Sequence, residues 1–125
     1  MSSRLTLKAK DGHELKAWHA DAGPDAIGGI VILQAIYGLT THLADVCDLY
    51  AESKISAIAP ALYDRTGPNI VFGYDAAGME AGMVQRQTLA QPSVLADVSA
   101  ALDRLRPAGS VAVQGFCTGG TWAWI

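Results

Sequence analysis

The fold of this chain is decided by the stretch Val111-Ala112-Val113-Gln114-Gly115-Phe116-Cys117-Thr118-Gly119-Gly120. Its first part is apolar, as expected for a buried strand, and Cys117 follows between the glycines at positions 115 and 119. A nucleophile elbow has this pattern, because a nucleophile on a sharp strand-to-helix turn leaves no room for larger side chains two positions away. The stretch therefore predicts a strand, a nucleophile at Cys117 and a helix after it.

The predicted elbow also favours a reactive thiol. A residue on this turn lies at the N-terminus of the following helix, where the helix dipole and free amides stabilise a thiolate and an oxyanion. The bare Gly-x-Cys-x-Gly pattern is weak, and a structural cysteine in a glycine turn is the alternative. The apolar strand before the turn and the earlier apolar strand that ends in a glycine-containing loop favour the nucleophile.

Composition predicts one globular domain over residues 1–125, with 50% hydrophobic and 17% charged residues. The net charge of -3 and the scattered Lys and Arg residues argue against a nucleic-acid partner. No apolar run approaches the roughly 20 residues of a membrane span, so we expect no membrane partner and a cytoplasmic protein. The two cysteines, Cys47 and Cys117, lack the spacing of a disulfide framework or a zinc site, so we expect neither a metal nor a cofactor.

The N-terminal half has the pattern of a hairpin followed by a buried strand. Residues 5–9 and 14–19 have strand-like patterning around Asp11-Gly12, a pair that favours hairpin turns. Residues 29–33 are apolar at every position after the first glycine, which predicts a strand covered on both faces in a parallel sheet. A helix over residues 41–53 follows, with Thr40 or Thr41 as its cap and Cys47 in the core.

The remaining segments continue this βα alternation. Residues 55–59 and 110–114 are predicted buried strands, and a helix begins at Pro92 and ends near Pro107. Residues 75–88 are predicted to be partly helical, although glycines weaken that assignment. The order implies a mostly parallel sheet with right-handed crossovers. Four carboxylates are expected on solvated helix faces: Asp45, Asp48, Asp97 and Asp103.

Four motifs in this order resemble the dienelactone hydrolase family, also called carboxymethylenebutenolidases. They are Gly29-Ile30-Val31-Ile32-Leu33-Gln34-Ala35-Ile36-Tyr37-Gly38, Ala59-Pro60-Ala61-Leu62-Tyr63, Asp97-Val98-Ser99-Ala100-Ala101-Leu102 and the elbow itself. The resemblance implies an α/β-hydrolase fold with a mostly parallel sheet and an N-terminal antiparallel hairpin, truncated after the nucleophile elbow.

The resemblance also implies a reaction, the hydrolysis of a small ester or lactone through a cysteine acyl-enzyme. Cys117 matches the nucleophile of the family. The family builds its oxyanion hole from two backbone amides, which correspond here to Ile36 and Thr118. No cofactor is implied.

The chain departs from the family pattern at several charged positions. Ala35 stands where the family has a glutamate that contacts the resting thiol, and Ala61 stands where it has an aspartate. Arg65 and Arg86 lie in the region of the family's substrate-binding arginine without matching its register. A substrate that carries a carboxylate is therefore not indicated.

The histidines lie on the wrong side of the elbow for a complete triad. Hydrolases of this fold use the chain order nucleophile, acid, histidine, whereas His13, His19 and His42 all precede Cys117. We therefore expect the chain to be impaired or inactive on its own and to need a complementing C-terminal segment. His42, which begins a helix beside the oxyanion loop, is the one upstream histidine that could approach the thiol.

A second hypothesis is a non-catalytic binding or self-associating module built on a partial hydrolase scaffold. Ala35 and Ala61 fit this hypothesis, and so does the apolar segment Trp122-Ala123-Trp124-Ile125, which favours self-association. A thiol redox protein would require Cys47 beside Cys117 in space.

Overall fold

The computed structural model describes residues 2–68 and 70–115. Within these ranges eight helices and strands follow one another along the chain: β1 Ser3–Lys8, β2 Glu14–Ala20, β3 Gly28–Leu33, α1 Thr41–Glu52, β4 Ile55–Pro60, α2 Ala76–Arg86, α3 Gln91–Leu105 and β5 Val111–Gly115. Two short 3₁₀ turns, Leu62–Arg65 and Arg106–Ala108, lie after β4 and α3. Cys117, Thr118 and the C-terminal tryptophans lie outside the described residues.

The described strands form a five-stranded sheet in the order β1-β2-β4-β3-β5. The β1 and β2 strands form the predicted antiparallel hairpin, and β2 also pairs with β4 in antiparallel fashion. The β3 strand is parallel to both of its neighbours, β4 and β5. The prediction of an N-terminal hairpin joined to parallel βα units is therefore confirmed.

The central strands β3 and β4 are covered on both faces, which explains the uninterrupted apolar run in β3. The β5 strand, predicted to be buried, is half-buried and Ala112 is exposed. All six β3 residues are buried. Val31 and Leu33 pack in a cluster with the apolar side of α3, whereas Ile32 packs in a second cluster with Leu43 and Cys47 of α1. Because successive side chains of a strand point to opposite faces, a strand between two helical layers must be apolar at every position.

Asp97 corrects one expectation of the sequence analysis. Its side chain is not solvated but is only 1% exposed, and it accepts hydrogen bonds from Arg65 Nη2 at 2.8 Å and Nε at 3.2 Å. The reason is that α3 carries Asp97 against the Leu62–Arg65 turn, so the carboxylate finds a cationic partner inside the fold. Asp45 and Asp103 are exposed as expected, and Asp48 is half-buried.

The start of α1 differs in detail from its prediction. Thr40 is the N-cap residue, but its side chain makes no capping hydrogen bond to the helix. Its hydroxyl oxygen instead accepts a hydrogen bond from Tyr74 at 2.8 Å. The side chain that the sequence suggested as a cap therefore ties α1 to the segment before α2.

Candidate active site

The candidate site lies at the edge of the sheet where the parallel strands end. In the pairing of β3 with β5, Leu33 is opposite Gly115. The loop of residues 34–38 therefore begins beside Gly115, the last residue of β5. In open α/β sheets, ligands bind outside the carboxyl ends of the strands. The roles of Cys117 and Thr118 stay predictions, because both residues lie outside the described residues.

Ile36, the described member of the predicted oxyanion hole, is held in place by a buried tyrosine. The Tyr63 hydroxyl donates a hydrogen bond to the Ile36 carbonyl oxygen at 2.7 Å and lies 3.3 Å from the Gly82 carbonyl oxygen. Burial raises the pKa of Tyr63 to about 12, so the phenol keeps its proton and remains a donor at neutral pH. One side chain thus connects the loop after β3 with α2.

The loop is anchored from a second side by Gln34. This residue is 1% exposed, and its side-chain oxygen accepts a hydrogen bond from the Leu62 amide at 3.0 Å. Leu62 and Tyr63 are neighbours in the 3₁₀ turn after β4, so this turn supplies both contacts that fix the loop. The motif Ala61-Leu62-Tyr63, noticed in the sequence for its resemblance to a family, has this structural role.

The α2 helix covers the loop through a glycine. A Cβ atom added to Gly82 would lie 2.6 Å from the Ile36 carbonyl oxygen, closer than real Cβ contacts allow. Asp75 caps the helix, with Oδ1 accepting a hydrogen bond from the Gly78 amide at 2.6 Å. Gly82, one of the glycines that weakened the helix prediction for this segment, therefore permits close packing against Ile36.

A cavity of about 340 Å³ lies beside this loop. Its lining residues are Ala35, Tyr37, Gly38, Thr40, His42, Leu43 and Tyr74. The rings of Tyr37 and Tyr74 meet edge to face, with their centroids 4.7 Å apart and an interplanar angle of 68°. Sequence reasoning found the loop and His42 but missed Tyr74, which comes from a segment without periodic pattern.

A short backbone pairing brings Tyr74 to this cavity. Gly38 and Val71 form an isolated antiparallel bridge, and the Phe72 amide donates a hydrogen bond to the Tyr37 carbonyl oxygen at 2.9 Å. Gly38 has a φ of +88°, which an L side chain rarely adopts. The loop after β3 therefore carries a small two-stranded extension that supports the wall of the cavity.

The charged residues considered in the sequence analysis lie elsewhere. Arg65 is bound by Asp97 and Asp11, and its side chain is 18% exposed. The hydrogen bond with Arg65 holds the pKa of exposed Asp11 below its usual value, whereas burial raises the pKa of Asp97 although Arg65 opposes that shift. These two ion pairs give Arg65 a structural role. Arg86, the other arginine considered, is the last residue of α2.

The three histidines are spread over the described structure. His42 lines the cavity, whereas His19 lines a separate cavity with Arg104. Burial and the nearby Arg104 lower the pKa of His19. The His13 amide donates a hydrogen bond to Asp11 in the hairpin turn. Of the three, His42 alone lines the cavity beside the predicted oxyanion loop.

Cys47 is a core residue, as predicted. It is fully buried between α1 and the sheet, and burial raises the pKa of its thiol to about 12, with Asp48 adding to the effect. Within residues 2–68 and 70–115, no cluster of three His, Cys, Asp or Glu residues could hold a metal ion. The same ranges contain no helix of the length and apolarity that a bilayer crossing requires.

Comparison with solved structures establishes the fold. The crystal structure of a Klebsiella pneumoniae protein titled "Putative Dienelactone Hydrolase" superposes with a TM-score of 0.77 at 23% identity, covering 96% of this chain and 51% of that one. The predicted α/β-hydrolase fold is therefore confirmed.

Sequence comparison identifies relatives. A Synechocystis sp. protein named "Putative carboxymethylenebutenolidase" is 34% identical over 113 residues, which cover 83% of this chain and 44% of that protein. "Carboxymethylenebutenolidase 1" of Cupriavidus pinatubonensis is 24% identical over 99% of this chain and 55% of its own length. The chain thus spans about half the length of the curated relatives it matches. The sequence model of the dienelactone hydrolase family matches residues 16–125, and the chain belongs to that family.

Proposed function

We propose that this chain carries the nucleophile and the oxyanion hole of a hydrolase of small esters or lactones, with Cys117 as the nucleophile. One observation carries the proposal: the loop that contains Ile36 is immobilised by Tyr63 and Gly82 at the edge where β5 leads towards Cys117. Oxyanion-hole donors stabilise a transition state because they are fixed before the reaction begins. The cytoplasmic location stays a prediction from the sequence.

The proposed reaction begins with attack of the Cys117 thiolate on the ester carbonyl carbon. As the carbon–sulfur bond forms, the carbonyl electrons move to the oxygen, which the amides of Ile36 and Thr118 stabilise. The tetrahedral intermediate then releases the alkoxide, which takes up a proton, and leaves a thioester on Cys117. The Tyr63 hydrogen bond to the Ile36 carbonyl holds the peptide plane between Ile36 and Tyr37, which directly follows the proposed N–H donor.

Hydrolysis of the thioester needs a base that activates water. His42 lines the cavity but precedes Cys117, whereas the family order has an acid and a histidine after the nucleophile. Each missing acid–base role slows a reaction by about 10²-fold or more. We therefore expect these 125 residues to form the acyl-enzyme faster than they hydrolyse it, and a complementing C-terminal segment with the acid and histidine to restore turnover.

Acyl transfer to the thiol tests this proposal directly. The chain is mixed with p-nitrophenyl acetate at pH 8, and the intact mass and the peptide map are followed over time. We expect one acetyl group on Cys117, none in Cys117→Ala, and unchanged labelling in Cys47→Ala, because Cys47 is buried with a pKa of about 12. Equal labelling of the wild type and Cys117→Ala, or labelling at Cys47, would refute the role of Cys117.

A second candidate function is a non-catalytic, self-associating module. It is favoured by exposed apolar side chains on α2. Met79 and Met83, one turn apart on the same side of the helix, are 48% and 54% exposed, and Val84, about 100° further round, is 63% exposed. Exposed apolar side chains grouped on one helix mark interaction sites more often than isolated ones do. This function would need no reactive thiol, so an unlabelled Cys117 together with self-association would favour it.

A further inference from the structure

We infer that the cavity beside the Ile36 loop is a subsite for an uncharged aromatic group of the substrate. The inference rests on the proposed function for the reaction, but binding at the subsite needs no catalysis. The substrates expected from this subsite are esters with a neutral aryl group, rather than esters or lactones that carry a carboxylate.

The size and shape of the cavity fit such a group. Its volume of about 340 Å³ lies at the lower end of small-molecule sites. Tyr37 and Tyr74 present two rings at an interplanar angle of 68°, an arrangement in which a third ring can meet the face of one and the edge of the other. The walls are therefore suited to a flat apolar group.

The aromatic wall is held in position by three contacts. The Tyr74 hydroxyl donates to Thr40 Oγ1, the Phe72 amide donates to the Tyr37 carbonyl, and Val71 is bridged to Gly38. Although Tyr74 is 64% exposed, its hydroxyl is fixed at the start of α1. Preorganised rings bind a ligand without first losing their own conformational freedom.

The charges around the cavity disfavour a carboxylate. Among the described residues, no Lys, Arg, Asp or Glu lines it, and His42 is the single lining side chain able to carry a positive charge. Arg65, one of the two arginines in the region of the family's substrate-binding arginine, is bound by Asp97 and Asp11. A carboxylate that enters an apolar cavity without a cationic partner loses hydration that nothing replaces.

A matched pair of ligands tests the inference on the 125-residue chain. Benzamide and benzoate have the same ring and nearly the same shape but differ in charge. Each is titrated at pH 8 and followed by ¹H–¹⁵N correlation spectra. We expect benzamide to bind about tenfold more tightly than benzoate, a difference of about 1.4 kcal/mol, with the largest shifts at Tyr37, Gly38 and Tyr74.

Variants distinguish binding at this cavity from nonspecific binding to the protein surface. Tyr74→Leu should weaken benzamide binding severalfold, and Tyr74→Phe, which keeps the ring but loses the hydrogen bond to Thr40, should weaken it less. Met83→Ala, on α2 and outside the cavity lining, should preserve binding. Circular dichroism checks that each variant is folded, and Tyr37→Leu serves as the second test if Tyr74→Leu does not fold. Benzoate binding as tightly as benzamide, or shifts outside the cavity, would overturn the inference.

The outcomes for the subsite and for the reaction are distinct. If benzamide binds as expected and Cys117 is not acylated by p-nitrophenyl acetate, the subsite stands and the proposed hydrolase reaction fails. If Cys117 is acylated and benzamide does not bind at Tyr37 and Tyr74, the reaction stands and the aromatic subsite is wrong.

Discussion

The two carboxylates that bind Arg65 differ in burial, and this difference predicts that they contribute unequally to the free energy of unfolding. Each carboxylate accepts two hydrogen bonds from the guanidinium, but the Asp97 side chain is 1% exposed whereas that of Asp11 in the hairpin turn is 48% exposed. Removing one partner of a buried ion pair leaves the other charge poorly solvated, whereas exposed pairs are screened by water. The contribution of Arg65 to stability should therefore depend mainly on Asp97.

We expect Asp97→Ala to lower the free energy of unfolding by about 3 kcal/mol. Urea denaturation followed by circular dichroism measures the loss. Asp11→Ala is the matched control, since it removes the other carboxylate from the same guanidinium and should cost much less. Equal losses in the two variants would mean that burial of Asp97 does not strengthen its contribution.

At the scale of elements, α2 is positioned by its glycines. Gly82 lies against the Ile36 carbonyl, where an added methyl group would be 2.6 Å from the oxygen and 3.1 Å from the carbonyl carbon. Neither of these backbone atoms can move without displacing the Tyr63 hydrogen bond. The contact therefore couples the position of a helix to the geometry of the predicted oxyanion loop.

This coupling predicts a reversal of the usual effect of replacing glycine by alanine in a helix. Helix propensity alone would stabilise Gly82→Ala by about 1 kcal/mol, whereas overpacking costs about 1–3 kcal/mol. We expect a net loss in stability and altered amide chemical shifts at residues 35–37. Gly73→Ala, whose methyl group would have its nearest contact at an ordinary 3.5 Å, should leave both unchanged. A stabilised Gly82→Ala would contradict the close packing.

At the scale of the whole molecule, the described part leaves apolar side chains of α2 in solvent. We expect the 125-residue chain to self-associate through this face, because burying Met79, Met83 and Val84 removes apolar surface from water. Sedimentation velocity over a range of concentrations measures the association. The double variant Met79→Lys/Met83→Lys should be monomeric. Leu49→Lys, which replaces an exposed apolar residue of α1, should still associate. A wild type that stays monomeric at every concentration would exclude this surface as an interface.

The sequence predicted those features whose signal is local. The hairpin follows from the turn preference of Asp11-Gly12. Burial on both faces explains the apolar run of β3, and burial on one face explains the helical spacing of apolar residues in α1 and α3. Cys47 was predicted as a core residue for the same reason, and it is fully buried. Periodicity is sufficient for these assignments because each depends on neighbours within a few residues.

The details of the candidate site depend on contacts that no local pattern carries. The Tyr63 hydroxyl reaches a carbonyl 27 residues earlier in the chain, and Tyr74 reaches the Thr40 hydroxyl across 34 residues. Asp97 is expected in solvent from its spacing relative to the apolar residues of its helix, a local pattern that does not reveal its partner Arg65, 32 residues away. A single sequence specifies which residues are polar or small, but the folded sheet decides which of them meet.

The contacts that fix Ile36 have a consequence for synthesis of the chain. Gln34, Leu62, Tyr63 and Gly82 are all translated before β5, so the contacts that shape the predicted oxyanion loop need no residue beyond position 82. On the ribosome, the residues that make these contacts are therefore all present before β5 and the segment with Cys117 are synthesised.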